Sequence, residues 1–380
     1  MSEVVLRGQV ILPDRAIEDG QIVFRDGQII DVGVYQGKPA TIHWKTGWIG
    51  PGLVDVHIHG IQGVDVMDGD PASLLRMDRA LASVGCTTYL ATTMSAVQAD
   101  LIRVARGIRA FAEQYPDAGL AGVHMEGPYI HPARIGAQRA DAVRPPRLDE
   151  LEELADILGA RLRRITMAPE LPGAGAFIER AQALGLLISF GHSNASYDEA
   201  AQGFAQGVGE VTHLFNAMPP LHHREPGLAG AALTRDSVAV ELICDGIHVH
   251  PAVVKGVARL KGRDGVMLVT DAMRATLLAD GTYDLGGQTV TVAQGVARTA
   301  SGSLAGSTLT LLRAVLNFQV FAERSLAEAV RAASLVPARR MGLLGRGALQ
   351  PGFRADVILV DEAGVNRMTW RHGQVVFDGR

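Results

Sequence analysis

The feature that most constrains the fold of this chain is a repeated alternation of short apolar runs with longer amphipathic stretches through its middle. The apolar runs read as buried strands, and most are followed by residues with helical spacing. The predicted strands are residues 53–56, 87–91, 120–124, 165–167, 186–189, 210–212, 238–243 and 266–269, and predicted helices include residues 101–114, 148–158, 176–184 and 197–206. Eight strands in this alternation predict a TIM-like (β/α)8 barrel. The alternative is a doubly wound open sheet, but no G-x-G-x-x-G motif follows the first strand.

Short β-rich runs separated by turn signals occupy both ends of the chain. The N-terminal runs are EVVLRGQVIL, GQIVF and GQIIDVG, and the C-terminal runs are ADVILVD, VNRMTW and GQVVFDG. Neither end has enough strands to bury a face alone, so we expect the two ends to pack together as a small β-sandwich. This predicts a sandwich domain of residues 1–50 plus 347–380, with a barrel domain of residues 51–346 inserted in it.

Charge, hydropathy and cysteine content exclude several classes of function. The formal net charge is −4 and the sequence pI is about 6.3, which does not favour binding to nucleic acid or to an anionic membrane. No apolar run reaches the roughly 18 residues that a membrane span needs. The cysteines, Cys86 and Cys244, lie in apolar runs and are expected to be buried thiols in a reducing compartment. We therefore expect a cytoplasmic protein without nucleic-acid or membrane partners.

Histidine, glutamate or aspartate follows six of the eight predicted barrel strands. The C-terminal ends of barrel strands meet at one mouth, where the loops build active sites. Any one of these residues has a structural explanation, such as a helix cap, but their joint placement at one face favours a metal site. In strand order the residues are His57 and His59, then Glu126, His192, His213 with Asn216, Asp245 with His248, and Asp271.

These residue types suit a divalent metal of intermediate softness, Zn²⁺ or Fe²⁺. Glu126, His192 and His213 form one complete ligand set, and His57 and His59 could complete a second site beside it, so one or two ions per subunit are expected. A carboxylated lysine cannot bridge two metals here, because none of the four lysines ends a predicted barrel strand. This leaves Glu126 as the bridging group.

Asp271, after the last barrel strand, is the predicted general base and acid. It would take a proton from a water activated by the metal and return the proton to the leaving group. The predicted reaction is metal-assisted hydrolysis, with an amide as the favoured substrate, although the residues alone do not distinguish an amide from an ester.

Longer motifs around these residues resemble the N-acetylglucosamine-6-phosphate deacetylases of the amidohydrolase superfamily. The motifs are HMEGP, GHSNA, THLFNAMPPLHHREPGLAG, DGIHV, LVTDAM and LAGSTLT, and the likeness runs from GPGLVDVHIHG to PGFRADVILV. The resemblance implies hydrolysis of N-acetylglucosamine 6-phosphate to glucosamine 6-phosphate and acetate. It also implies a homodimer whose phosphate site draws on the neighbouring subunit.

The same resemblance implies roles for residues beyond the metal ligands and Asp271. Some members have histidine in a G-x-H motif where this chain has Gln138, which can donate a hydrogen bond but cannot carry a proton. The implied contacts with the sugar phosphate are Asn216, Ala217, Arg224 and His248, with Leu304, Ala305 and Gly306 lining the sugar and Ala137 and Gln138 beside it.

Two other functions are compatible with the sequence. The same chemistry could act on the galactosamine epimer or on another N-acyl substrate. A barrel retained as an inactive scaffold is the non-enzyme alternative, and it is disfavoured because Glu126, His192, His213 and Asp271 are all present.

Overall fold

The computed structural model describes residues 3–380 of the chain. The strands from the N-terminal end are β1 (Val4–Ile11), β2 (Ala16–Arg25), β3 (Gln28–Val34) and β4 (Ile42–Pro51). The next ten strands are β5 (Leu53–Ile58), β6 (Gly60–Ile61), β7 (Val64–Asp65), β8 (Cys86–Thr93), β9 (Leu120–Glu126), β10 (Leu162–Met167), β11 (Leu187–Phe190), β12 (Glu210–Val211), β13 (Ala239–Ile243) and β14 (Val266–Val269). The last six are β15 (Gly281–Leu285), β16 (Gln288–Ala293), β17 (Val296–Thr299), β18 (Val357–Asp361), β19 (Asn366–Arg371) and β20 (Gln374–Asp378).

The α-helices lie mainly between the barrel strands. They are α1 (Pro71–Ser83), α2 (Gln98–Gln114), α3 (Leu148–Leu158), α4 (Ala174–Ala183), α5 (Tyr197–Ala205), α6 (Gly227–Leu233), α7 (Pro251–Lys261), α8 (Leu311–Phe321), α9 (Leu326–Ala332) and α10 (Leu335–Arg340). The four helices predicted from apolar spacing correspond to α2, α3, α4 and α5, and their ends differ from the prediction by at most three residues.

Eight strands form one parallel sheet in the order β5-β8-β9-β10-β11-β12-β13-β14. The sheet closes on itself because Ile58, at the end of β5, forms a parallel bridge with Ala272, just after β14. Beside this bridge the Asp271 N–H donates to the carbonyl of His57 at 2.9 Å. The predicted (β/α)8 barrel is therefore confirmed, and its predicted strands differ from the observed ones by at most three residues at either end.

The strands of both chain ends join in one seven-stranded sheet, ordered β20-β19-β18-β4-β1-β2-β3. This sheet folds over on itself, because Phe24 of β2 and Trp370 of β19 meet with their ring centroids 6.1 Å apart although three strands separate β2 from β19. The two ends thus form a sandwich with its own apolar core, as predicted. We propose domain boundaries near residues 50 and 346, since β4 ends at Pro51 and the barrel begins at Leu53.

A three-stranded antiparallel sheet, β15-β16-β17, lies between the last barrel strand and α8 and was not predicted. Its apolar side chains, among them Leu285 and Val290, pack against Met94 and Met273 at the barrel mouth. The alternating pattern of residues 281–299 is that of a half-exposed sheet. Nothing in the pattern shows that these strands cover the mouth rather than extend the sandwich.

Two predictions about burial and membranes can be compared with the structure. Cys86 and Cys244 are both free thiols and both are buried, as expected. Within residues 3–380 no helix is both long and apolar enough to cross a bilayer.

The sandwich is attached to the barrel through buried polar contacts of β19. The Arg371 guanidinium donates to the Asp78 carboxylate of α1 at 2.8 Å and to the carbonyl of Thr87 at 3.1 Å. Asn366 donates to the carbonyl of Ser83 at 3.0 Å. These contacts fix the C-terminal strands against the first helix of the barrel.

Replacing Arg371 by alanine should lower the free energy of unfolding by about 3–5 kcal/mol, because it leaves the buried Asp78 carboxylate without its cation. Urea unfolding followed by tryptophan fluorescence measures the change. Arg109→Ala is the matched control, since Arg109 pairs with Glu113 on an exposed helix face and its loss should cost at most about 0.5 kcal/mol. Equal small losses in both variants would contradict the assignment of Arg371 as a domain connector.

Candidate metal centre and active site

A cavity of about 410 Å³ opens at the C-terminal mouth of the barrel. Its walls come from the ends of barrel strands and from the loops that follow them. The polar side chains on its walls include His59, Glu126, Arg134, Gln138, His192, His213, Asn216, His248 and Asp271.

One cluster at the base of this cavity consists of Glu126, His192 and His213. The Nε2 atoms of His192 and His213 lie 3.1 and 3.0 Å from Glu126 Oε1 and 3.1 Å from each other. His192 is oriented from behind, because its Nδ1 lies 2.8 Å from the carbonyl of Arg134. Both histidines have positive φ angles, +48° and +29°, a conformation that costs about 1–3 kcal/mol each and is typical of functional sites.

A second cluster consists of His57, His59 and Asp271. His57 lies on β5 and His59 directly follows the strand, so the two rings point to the same, inner side of the barrel. Their Nε2 atoms are 3.3 Å apart. His59 Nε2 lies 3.1 Å from Asp271 Oδ1, and His57 Nε2 lies 3.5 Å from the same oxygen. The Nδ1 atom of His59 is 3.2 Å from the carbonyl of Thr92. The pair of histidines in DVHIHG therefore acts together with the last barrel strand.

Glu126 connects the two clusters. Its Oε1 contacts His192 and His213, while its Oε2 lies 3.2 Å from His59 Nε2. The Gln138 side chain donates through Nε2 to Oε2 at 2.6 Å, and its own side-chain oxygen, Oε1, accepts the Ser95 N–H at 2.7 Å. Gln138 is thereby held in the orientation that positions the Glu126 carboxylate.

The clusters have the electrostatics of a cation site. Burial opposes ionisation of Glu126, but His57 and His192 hold the pKa of this carboxyl well below its usual range. Burial likewise opposes a charge on His59, yet hydrogen bonds with Asp271 and Glu126 raise its pKa to about 10. The carboxylates therefore create a strong preference for positive charge at this position.

Each cluster fits a divalent cation. In each, three ligand atoms, either imidazole nitrogens or carboxylate oxygens, lie within 4.8 Å of one another. Imidazole nitrogen with carboxylate oxygen is a ligand set typical of zinc and of non-haem iron. Both clusters therefore offer the ligand types and the close spacing of ligand atoms that such a metal requires.

Most of the residues predicted to contact the substrate line the cavity. Ala305 is buried in the apolar cluster beneath the three-stranded sheet, and its neighbours face the cavity instead. Arg224 is exposed on the loop after β12, with Nη1 2.8 Å from His223 Nε2, and is not among the residues that line the cavity in the single chain. The predicted residues that line it are Ala137, Gln138, Asn216, Ala217, His248, Leu304 and Gly306.

Several residues of the site were not predicted. Arg134 and Phe215 line the cavity, as does Leu285 of the unpredicted sheet. Glu241 lies beneath His57 inside the barrel and is fully buried. The signal for Glu241 was present in VELICDG, where a lone acidic residue interrupts an apolar strand.

Residues 48–376 match the model of the amidohydrolase family, and the chain belongs to that family. It is therefore a hydrolase built on the metal-site barrel of this family. Within the family it is similar to N-acetylglucosamine-6-phosphate deacetylase of Lysinibacillus sphaericus, with 37% identity over 326 residues covering 86% of this chain and 84% of the relative.

Two further proteins extend this comparison over almost the whole chain. N-acetylgalactosamine-6-phosphate deacetylase of Escherichia coli O157:H7 is 36% identical over 378 residues, which is 98% of each protein. A solved structure of N-acetyl-D-glucosamine-6-phosphate deacetylase from Mycobacterium smegmatis, an aspartate-to-alanine mutant in complex with N-acetyl-D-glucosamine-6-phosphate, is 31% identical. It has a TM-score of 0.95 and covers 99% of this chain and 100% of that one.

Elemental analysis of purified variants should separate the two clusters. The double variant His57→Asn/His59→Asn is expected to lose one metal equivalent and keep the other, since Glu126, His192 and His213 are intact. Glu126→Gln should lose both, because this carboxylate contacts both clusters. His222→Asn is the control, since His222 is an exposed histidine that should leave the metal content unchanged. Equal losses in the double variant and in Glu126→Gln would contradict two separable sites.

Proposed function

We propose that this protein is a metal-dependent deacetylase that hydrolyses the acetamide of N-acetylglucosamine 6-phosphate to glucosamine 6-phosphate and acetate. The observation that carries the proposal is the position of Asp271, which contacts the histidines of one cluster and also lines the cavity. Its side chain is 13% exposed, so a substrate in the cavity can reach it. Two relatives named N-acetylglucosamine-6-phosphate deacetylase are 37% and 39% identical to the chain over 86% of its length.

Glu126, His192 and His213 would hold one divalent ion, Zn²⁺ or Fe²⁺, and His57 and His59, with Glu126 close to them, would hold a second one. A metal bound there would supply a Lewis acid that polarises the amide carbonyl and makes a water more acidic. Asp271 accepts the proton of the attacking water and then donates it to the leaving amine nitrogen. Burial would raise the pKa of Asp271, but His57 and His59 lower it, which keeps this carboxylate ionised and ready to accept a proton.

The loops around the cavity would bind the sugar phosphate. The cavity volume is in the range typical of small-ligand sites. His248 is oriented towards it by Asp245, whose carboxylate lies 2.7 Å from His248 Nδ1. Asn216 and Ala217 also line the cavity, as do Ala137, Gln138, Leu304 and Gly306.

Arg224 would contact the phosphate of a substrate bound in the neighbouring subunit of a homodimer. It is exposed and points its guanidinium at His223 rather than into the cavity of its own chain. A guanidinium is well suited to a phosphate, because its fixed donors match two phosphate oxygens. The exposed position and this chemistry together support a role between subunits.

N-acetylgalactosamine 6-phosphate is the second candidate substrate. The relative from Escherichia coli O157:H7 that carries this name matches 98% of the chain. Either substrate places the protein in amino-sugar metabolism, and we propose a cytoplasmic location for it.

Asp271→Asn should lower the rate of acetate release by about 10²–10⁴-fold, because the amide cannot accept the proton of the attacking water. The assay measures acetate and free amine from both 6-phosphate epimers, and the ratio of their kcat/KM values identifies the preferred sugar. The ion held by Glu126, His192 and His213 should stay bound, since Asp271 belongs to the other cluster. Wild-type protein with metal bound that releases no acetate from either epimer would overturn the proposed function.

Mixed dimers test the role of Arg224. Arg224→Ala should raise KM for the phosphorylated substrate, and Asp271→Asn should be nearly inactive. If Arg224 acts on the neighbouring site, unfolding and refolding the two variants together should restore sites that contain both Asp271 and the partner's arginine. No recovery above the sum of the separate variants would show that Arg224 acts within its own chain or not at all.

A further inference from the structure

Glu241 of β13 is fully buried inside the barrel, directly beneath the two clusters. A single oxygen, Oε2, lies 3.0 Å from Nδ1 of His57 and accepts the backbone N–H of His213 at 3.0 Å. His57 belongs to one cluster and His213 to the other. One carboxylate oxygen therefore contacts a member of each cluster from the side opposite the cavity.

The other oxygen of Glu241 is paired with Arg164 of β10, which is also fully buried. The Arg164 guanidinium donates to Ser189 at 2.9 Å and lies 3.0 Å from Glu210 Oε2 without the alignment of a hydrogen bond. Arginine stays protonated in proteins, and its ion pair favours the charged form of Glu241. Glu241 can therefore only accept hydrogen bonds from its neighbours.

We propose that Glu241 is a positioning residue that sets the orientation of the His57 ring, and hence which ring nitrogen faces the clusters, together with the backbone position of His213, and so prepares both clusters to bind metal. An ionised Glu241 can only accept, so His57 must carry a proton on Nδ1. The lone pair of a neutral His57 is then on Nε2, the atom that faces Glu126 and Asp271 at 3.5 Å from each. The proposal rests on the metal site in the proposed function and extends it to a residue outside the cavity.

A glutamine of the same shape cannot replace Glu241. Arg164 and the His213 N–H are both donors, and they face different oxygens of the carboxylate. An amide has one acceptor oxygen and one NH₂ donor. In either orientation the NH₂ group must therefore face another donor, either Arg164 or the His213 N–H, and that hydrogen bond is lost. With the NH₂ group towards His57, Nδ1 would have to accept, Nε2 would carry the proton, and His57 could not bind a metal.

The test compares Glu241→Gln with Glu210→Gln. Both replace a buried carboxylate next to Arg164, but only Glu241 contacts His57 and His213. The full chain is titrated with zinc in competition with a colorimetric chelator. Glu241→Gln is expected to bind zinc about 10–100-fold more weakly than wild type, while Glu210→Gln binds it as wild type does. Equal affinities in all three proteins, or equal losses in both variants, would overturn the proposal.

A second measurement needs no folded variant. In zinc-loaded wild-type protein labelled with ¹⁵N-histidine, NMR should show His57 protonated at Nδ1 and bound to zinc through Nε2. A His57 bound through Nδ1, or protonated at Nε2, would overturn the proposal even if Glu241→Gln fails to fold. Neither readout depends on deacetylation, so a protein that binds zinc as expected but releases no acetate would overturn the proposed function alone.

Discussion

The hydrogen bond from the Asp271 N–H to the His57 carbonyl is the contact on which the rest of the site depends. It joins the end of the first barrel strand to the end of the last, at 2.9 Å, and so closes the barrel. The same two residues supply side chains to one of the two clusters, and Asp271 Oδ1 reaches His59 only because the strands meet there. Closure of the fold and assembly of this cluster are one structural event, although 214 positions separate the two residues in the sequence.

The barrel interior carries more charge than stability alone would favour. Glu126, Glu241 and Arg164 are all buried, and removing such groups from water costs several kcal/mol per ion before pairing offsets it. From the cavity inwards, the charged and ionisable groups are the Glu126 carboxylate, then the histidines of the two clusters, then the Glu241 carboxylate, and finally the Arg164 guanidinium. Arg164 neutralises Glu241 at the inner end of this series, and the negative charge left for an external cation to neutralise lies at the cavity. This arrangement is that of a structure adapted to hold metal.

The alternation of apolar runs was enough to predict the barrel, because parallel strands covered by helices leave a strong periodic signal. The histidines at the ends of β5, β11 and β12 were identified for the same reason. Glu241 was not, since inward and outward residues alternate in a barrel strand and only the folded chain shows that its inward neighbour is Arg164, 77 positions away. The sheet β15-β16-β17 and the burial of Ala305 beneath it depend on how a loop packs, which periodicity does not record. Features with a local sequence pattern were therefore predictable, whereas roles that depend on a residue far away in the sequence were not.

The site has two parts whose residues are held in position by different kinds of structure. The proposed reacting groups lie at strand ends, which the closed barrel holds, so their residue types indicate the class of reaction. The proposed sugar contacts lie on loops, and several of them are small residues, such as Ala137, Ala217 and Gly306. The two epimers differ only in the direction of one hydroxyl group, so discrimination between them depends on where a loop places a donor or acceptor. A single hydrogen bond to that hydroxyl can decide the preference, so overall identity, which is 37% and 36% to relatives with different sugar names, does not identify the epimer.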